Sequence, residues 1–320
     1  MLFLVFFRHI FGTFVSEQEE ASFKEWMKEN SYCFTGEDYM KRLGIFITNK
    51  RVVNDFNQNH PFKLSLNKFA AFTNSEYQSL LQTTYPTKIP QQTETEKRNA
   101  YVPDSLDWRD FNIINSIKDL GAECGASWAF TAVTAQESAW AKKHGELYNL
   151  SASNLIDCCI YASGCNGGNP YDAFQYTNDY QNGQFMSEED YPYTGSQGAC
   201  RYDSTKAITS SRSYIIVNLN DEQDMVSKCA EYGVMCASID ASSFSFQLYK
   251  GGIFEDSRCS TWKTNLAVCV VGYGVEGDVP YWIIRNSWGM SWGEDGYMKL
   301  KRNEKSMCGI ASMTFVPIAE

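Results

Sequence analysis

The sequence predicts an α+β protein of two lobes, preceded by a separate helical unit. Three observations carry that prediction. From Ser16 to Leu81 the chain is charged and helical in its apolar spacing, with glycine only at Gly36 and Gly44. A polar stretch containing Pro86 and Pro90 then separates this unit from the rest. Beyond residue 101 a strong helix gives way to a strand-rich half with few crossover helices, the pattern of an α+β body.

The elements follow in order. MLFLVFF is an apolar run without a basic start, interrupted by Arg8-His9. It is too short to span a membrane, and residues 1–15 read as an atypical signal peptide. Residues 16–81 form the helical unit, in which Leu43, Ile47, Val53 and Phe56 recur at helical spacing. Residues 82–101 have the composition of an exposed, protease-accessible linker. A helical unit on such a linker reads as a pro-segment ahead of a mature body, residues 102–320. Within that body SWAFTAVTAQESAWAKKHG, 127–145, is a helix with Lys142 and Lys143 in its last turn and Gly145 as its cap. GVMCASIDA (233–241), LAVCVVGYG (266–274) and PYWIIRNSW (280–288) read as strands.

Composition narrows the function. The chain has 320 residues, 43% hydrophobic and 15% aromatic, enough for a large core. A net charge of -10 without a basic cluster argues against a nucleic-acid partner. No other segment approaches ~20 consecutive apolar residues, so no membrane span is expected. Ten of the eleven cysteines follow residue 120, no CxxC pair occurs, and there are only three histidines. Disulfides and the secretory route are therefore expected, with no metal and no cofactor.

Several ordered segments carry a resemblance. Asp38, Arg42, Phe46, Asn49, Val53 and Asn57, followed by Asn67 and Phe69, match the spacing of cathepsin L-like propeptides, with Ala71 where an Asp is usual. PDSLDWRD (103–110), CGASWAF (124–130), CNGG (165–168), DYPYTG (190–195), FQLYKGGIF (246–254), VVGYG (270–274) and RNSWGMSWGEDGY (285–297) match segments of mature domains. Together they resemble the papain family of cysteine proteases over nearly the whole chain. The resemblance implies a papain-like fold with a helical left lobe and a β-barrel-like right lobe. It also implies disulfides Cys124–Cys165, Cys158–Cys200 and Cys259–Cys308. Cys33, Cys159, Cys229, Cys236 and Cys269 are left over, Cys269 as a small buried hydrophobe.

The chemistry of that family needs a thiolate, an imidazole, an Asn to hold the imidazole and a Gln donor for the oxyanion. By the resemblance Ser127 stands at the nucleophile, Leu266 at the imidazole and Leu120 (or Gly121) at the Gln. Asn286 remains, with Trp288 beside it. Of His9, His60 and His144, the first two precede the mature body. His144 lies 17 residues after Ser127 on one helix, on the order of 25 Å away. The expectation is a homologue without hydrolytic activity. In it Ser127 serves a helix start, Leu266 fills apolar space and Asn286 is a satisfied buried amide under Trp288.

The peptide cleft is expected at Gly167 and Gly168, with a pocket of Pro170, Ser238, Ala267 and Met313 and with Trp288 beside it. It would take an extended peptide, a protein ligand or a cystatin-like inhibitor, and a bulky residue at Gly168 would block it. Two other functions compete: a serine-dependent hydrolase using Asp119 or Glu123 as base, and a surface adhesin or scaffold. A monomer is expected, outside the cell or in a lysosome-like vesicle. Asn149-Leu150-Ser151 is an N-glycosylation sequon.

Overall fold

A computed structural model describes residues 8–10, 13–84, 102–303 and 305–320. Most of the expected signal peptide and linker, residues 1–7, 11–12 and 85–101, lies outside the described residues. Strands β1 (Arg8–Ile10) and β2 (Thr13–Val15) pair antiparallel.

The N-terminal unit is built on two helices. Helix α1 (Glu17–Glu29) starts at a reciprocal cap in which Ser16 and Glu19 satisfy each other's main-chain N–H groups. Helix α2 (Gly36–Asn59) buries Leu43, Phe46, Ile47, Asn49 and Val53 on one face, while Phe56 is only half-buried. Phe23 and Trp26 of α1 pack against Phe46, ring centroids 5.2 and 5.4 Å apart. Strand β3 (Lys63–Leu64) and helix α3 (Asn74–Gln78) close the unit.

The body opens with β4 (Leu106–Asp107) and a helical lobe of α4 (Ser127–His144), α5 (Ala152–Cys158) and α6 (Pro170–Tyr180). Gly145 ends α4 in the left-handed conformation expected of it, its N–H bonded to the Ala141 carbonyl. Every α4 residue from Ser127 to Ser138 is buried, so this helix is a central post. The strand-rich half comprises β5 (Gln184–Met186), β6 (Ala207–Ile216), α7 (Glu222–Tyr232), β7 (Met235–Ile239), α8 (Phe244–Gln247), β8 (Tyr249–Gly251), β9 (Ile253–Phe254), β10 (Leu266–Glu276), β11 (Val279–Arg285), β12 (Tyr297–Lys301) and β13 (Phe315–Ala319). One nine-stranded sheet runs β5-β6-β13-β7-β10-β11-β12-β9, with β4 added on β10. The post α4 packs on β10 and β13.

Three disulfides join Cys124 to Cys165, Cys158 to Cys200 and Cys259 to Cys308, as the resemblance implied. Cys33 is free and exposed; the free thiols of Cys159, Cys229, Cys236 and Cys269 are buried. Burial pushes the Cys269 thiol up to about 12, which keeps it protonated and inert. The N-terminal unit is stitched to the body where β3 pairs antiparallel with β8. No described helix is long and apolar enough to cross a membrane.

Candidate functional site

The first turn of α4 is fixed from behind by the Cys124–Cys165 disulfide and by the Gly125 N–H bonded to the Cys165 carbonyl at 2.8 Å. Ser127 is the first helical residue, but the cap position belongs to Ala126 and no side chain caps this helix. Ser127 therefore caps no helical N–H; its hydroxyl bonds β10 and the N-terminal unit instead. Its Oγ accepts the Ala267 N–H at 3.3 Å and lies 3.0 Å from Thr83 Oγ1 of the N-terminal unit. All of this is dry: Ser127 is 3% exposed and Thr83 6%.

Leu266 begins β10, fully buried opposite Ile239 of β7, and Ala267 lies opposite Ser238. Asn286 follows β11, anchored by its N–H on the Gly296 carbonyl. Its Oδ1 accepts the Ser287 N–H at 2.8 Å, whereas its buried Nδ2 donates to no described protein atom. The expected satisfied amide is thus half-satisfied, because no acceptor among the described residues faces its Nδ2. A cavity of about 10 Å³ touches Asn286, Ser287 and Thr134, room for about one water. Leu120 presents a buried apolar side chain, while its N–H bonds the Ser287 carbonyl and its carbonyl accepts the Tyr193 hydroxyl.

Among the described residues, neither candidate base is hydrogen-bonded to Ser127. Asp119 Oδ1 is held by Lys68 Nζ at 2.6 Å and by the Gly121 N–H at 2.8 Å, and Glu123 is exposed. Burial lowers the Lys68 ammonium pKa, and the Asp119 charge opposes that fall. His144 sits at the far end of α4 with Nε2 on the Glu320 carbonyl, and His60 Nδ1 lies against the Phe56 carbonyl.

The cleft has an occupant. Residues 82–84 belong to the segment read as an exposed linker, yet they run between the two lobes. Thr83 donates its N–H to the Asn265 carbonyl at 3.1 Å. On the other wall Gly168 donates to the Gln82 carbonyl (3.3 Å) and accepts from Thr84 (2.9 Å). Asn169 Nδ2 donates to the Thr84 carbonyl at 2.7 Å and lies 3.6 Å from Met313 Sδ. Of the expected cleft residues, Gly168 bonds this extended strand directly, Met313 lies against Asn169, and Ala267 pairs with Ser238 and donates to Ser127. The Trp288 ring meets Phe69 and Tyr77 of the N-terminal unit edge-on.

The two glycines are hemmed in on different sides. A Cβ at Gly168 would strike the Trp128 ring and Ala162 at 2.7 Å, so a bulky residue there would disrupt the lobe itself. Gly167 has φ +117° and its missing side chain faces the Gln82 carbonyl, which makes it the true point of close approach. Thr83, Asn169 and Asn265 escaped the sequence reading. Asn169 did carry a signal, an Asn directly before the first-turn Pro170 of a helix. Asn149 of the sequon is exposed, while Ser151 is buried and accepts the Asn154 N–H as the α5 cap.

Comparison with known proteins agrees with this architecture. Residues 102–318 match "Papain family cysteine protease" and residues 23–77 match "Cathepsin propeptide inhibitor domain (I29)". Pro-cathepsin H of Mus musculus is 35% identical over 317 residues, covering 96% of this chain and 92% of that protein. Cathepsin K of Mus musculus is 34% identical over 314 residues, 94% of each. Among solved structures, the digestive procathepsin L2 proteinase from Tenebrio molitor larval midgut superposes with a TM-score of 0.88 at 30% identity. That match covers 94% of this chain and 99% of that one. The chain belongs to the papain family of cysteine proteases, in its proform, with a cathepsin-type propeptide lying through the cleft.

Proposed function

We propose that this family member does not hydrolyse peptides and instead uses its cleft to hold an extended chain. One observation carries the reading: among the described residues, the Ser127 hydroxyl is bonded to another hydroxyl and a backbone amide, and to no base. A serine depends on an adjacent base more than a thiol does. General-base help is worth ~10²–10⁴ in rate and an oxyanion donor roughly 10²–10³. With Leu266 and Leu120 at those positions both contributions are missing, and they are not independent. The bonds that the Gly168 and Asn265 main chains and the Asn169 side chain make to the backbone of residues 82–84 need no particular ligand sequence, which suits a peptide-holding groove.

On this reading the pro-segment is the resident ligand until another protease cuts residues 85–101. A peptide, a protein loop or a cystatin-like inhibitor then takes its place. Three disulfides are consistent with passage through the secretory route, and we place the protein outside the cell or in a lysosome-like vesicle.

The test is hydrolysis of a fluorogenic peptide, hydrophobic before a basic P1 residue, by the chain cut with an added protease in 85–101. The same chain carrying Ser127→Ala is the control. Equal background rates are expected. Turnover that vanishes with Ser127→Ala would establish a serine hydrolase and end the proposal.

A further inference from the structure

Where the propeptide crosses the nucleophile position, it does so with Thr83, whose hydroxyl lies 3.0 Å from Ser127 Oγ. Both residues are buried, so neither hydroxyl has water to fall back on. Ser127 Oγ already accepts the Ala267 N–H. With that lone pair taken, the Ser127 O–H needs an acceptor, and Thr83 Oγ1 is the one the structure supplies. The main-chain bonds on either side fix the register, because Gln82 and Thr84 are both tied to Gly168 and the Thr83 N–H to Asn265. A ligand strand bound in the same register must therefore set one particular side chain against Ser127.

We propose that this cleft selects a Thr or Ser at the ligand residue over Ser127, and that Thr83 is the propeptide's own instance of that residue. The inference rests on the cleft being a binding site, as argued above. An apolar side chain at that point leaves the Ser127 O–H buried without an acceptor. Valine is the sharpest comparison, since it matches threonine in shape and lacks only the oxygen. A group paired in a site built for it discriminates strongly against the analogue that lacks it. The penalty of one buried unpaired hydroxyl corresponds to a loss of about ten- to hundredfold.

The same pair explains why a serine serves here. Alanine at 127 would leave the Thr83 hydroxyl in a dry site with no partner at its floor. The buried cysteine thiols of this chain are pushed up and are weak hydrogen-bonding groups in any case. A hydroxyl matches a hydroxyl.

The experiment uses the full chain and amide hydrogen exchange, which reads local opening of the 82–84 strand. Wild type, Thr83→Val, Ser127→Ala and the double variant are compared, with Thr83→Ser as the conservative control. Thr83→Val should speed exchange at Thr84 and Gly168 about tenfold or more, with α4 exchange unchanged, and Thr83→Ser should stay near wild type. The double variant should open no further than Thr83→Val alone. Wild-type exchange in Thr83→Val, or simple addition of the two effects, overturns the proposal.

A second arm takes the chain cut within 85–101, both pieces present, and adds a synthetic peptide of residues 76–87 or the same peptide carrying Thr83→Val. The threonine peptide should displace the propeptide at a concentration about tenfold lower than the valine peptide. Equal displacement overturns the selectivity while leaving the holding function intact. Ser127-dependent cleavage of the peptide would instead overturn the function on which the selectivity rests.

Discussion

A leucine at position 266 changes what the rest of the cleft floor can do. It fills the start of β10 with apolar bulk, and the Asn286 amide is left with an unused buried donor. If 266 is the imidazole position, Ser127→Cys alone should stay at background in the peptide assay. Ser127→Cys with Leu266→His should exceed it by about 10²–10⁴, the usual worth of a general base. The histidine should also cost about 1–3 kcal/mol in stability, read by denaturant unfolding, because it buries a polar ring in a packed site. A double variant no faster than the single one would mean that β10 does not present residue 266 to residue 127. The sequence assigns residues 127 and 266 through the segments CGASWAF and LAVCVVGYG that carry the resemblance. Thr83 was not legible there, because its contact with Ser127 joins residues 44 apart through a stretch whose composition reads as linker.

Helix α3 shows how a short element can govern docking. Tyr77 is fully buried, donates to the Ala241 carbonyl at 2.7 Å and meets Trp288 edge-on. Tyr77→Ala should weaken propeptide docking by about 3–5 kcal/mol, the range for losing a buried aromatic. Faster cleavage of the 85–101 segment by an added protease would report it.

The neighbouring Glu76 ties α3 to α2 through Lys41 and Arg42. Partial burial tends to raise its carboxyl pKa, but the Lys41 bond, the Thr73 N–H and hydroxyl and the Arg42 charge prevail and lower it to about 2. A depressed carboxylate contributes stability that is present above its unfolded pKa of about 4.5 and is lost as pH falls toward 2. Because Glu76 is partly exposed, that contribution is discounted to about 1 kcal/mol. Mild acid near pH 5 should therefore leave the α2–α3 contact intact. Below about pH 4 it should loosen, and Glu76→Gln should flatten the acid limb of a stability-against-pH curve. A limb of the same slope in Glu76→Gln would assign the acid sensitivity elsewhere. Helices α2 and α4 were readable from periodicity, and the end of α4 from Gly145. That α4 would be buried through polar Thr131, Gln136, Glu137 and Ser138 was not. Glu137 is accommodated by Lys118 Nζ at 2.6 Å and the Leu150 N–H at 2.7 Å, partners that only the tertiary fold brings near.

The propeptide is attached to the body at several separate places. Strand β3 pairs with β8, Asn67 Nδ2 donates to the Gln247 carbonyl, Lys68 meets Asp119, Tyr77 enters below Ala241, and residues 82–84 fill the cleft. These attachments reinforce one another, since each holds the chain in position for the next. On the proposed reading the chain lacks a base of its own and cannot cut residues 85–101, so acid incubation of the purified protein should leave it full-length at any protein concentration. An added protease should cut the segment, and the two pieces should still elute together at neutral pH because the contacts above do not involve the cut bonds. Tyr77→Ala combined with Thr83→Val should let them separate, as it removes two of the attachments at once. Self-cleavage that speeds up with protein concentration and disappears with Ser127→Ala would show a working nucleophile. Pieces that part immediately after cutting in the wild type would show that the propeptide is held by chain connection alone, leaving the cleft open to other ligands from the moment of processing.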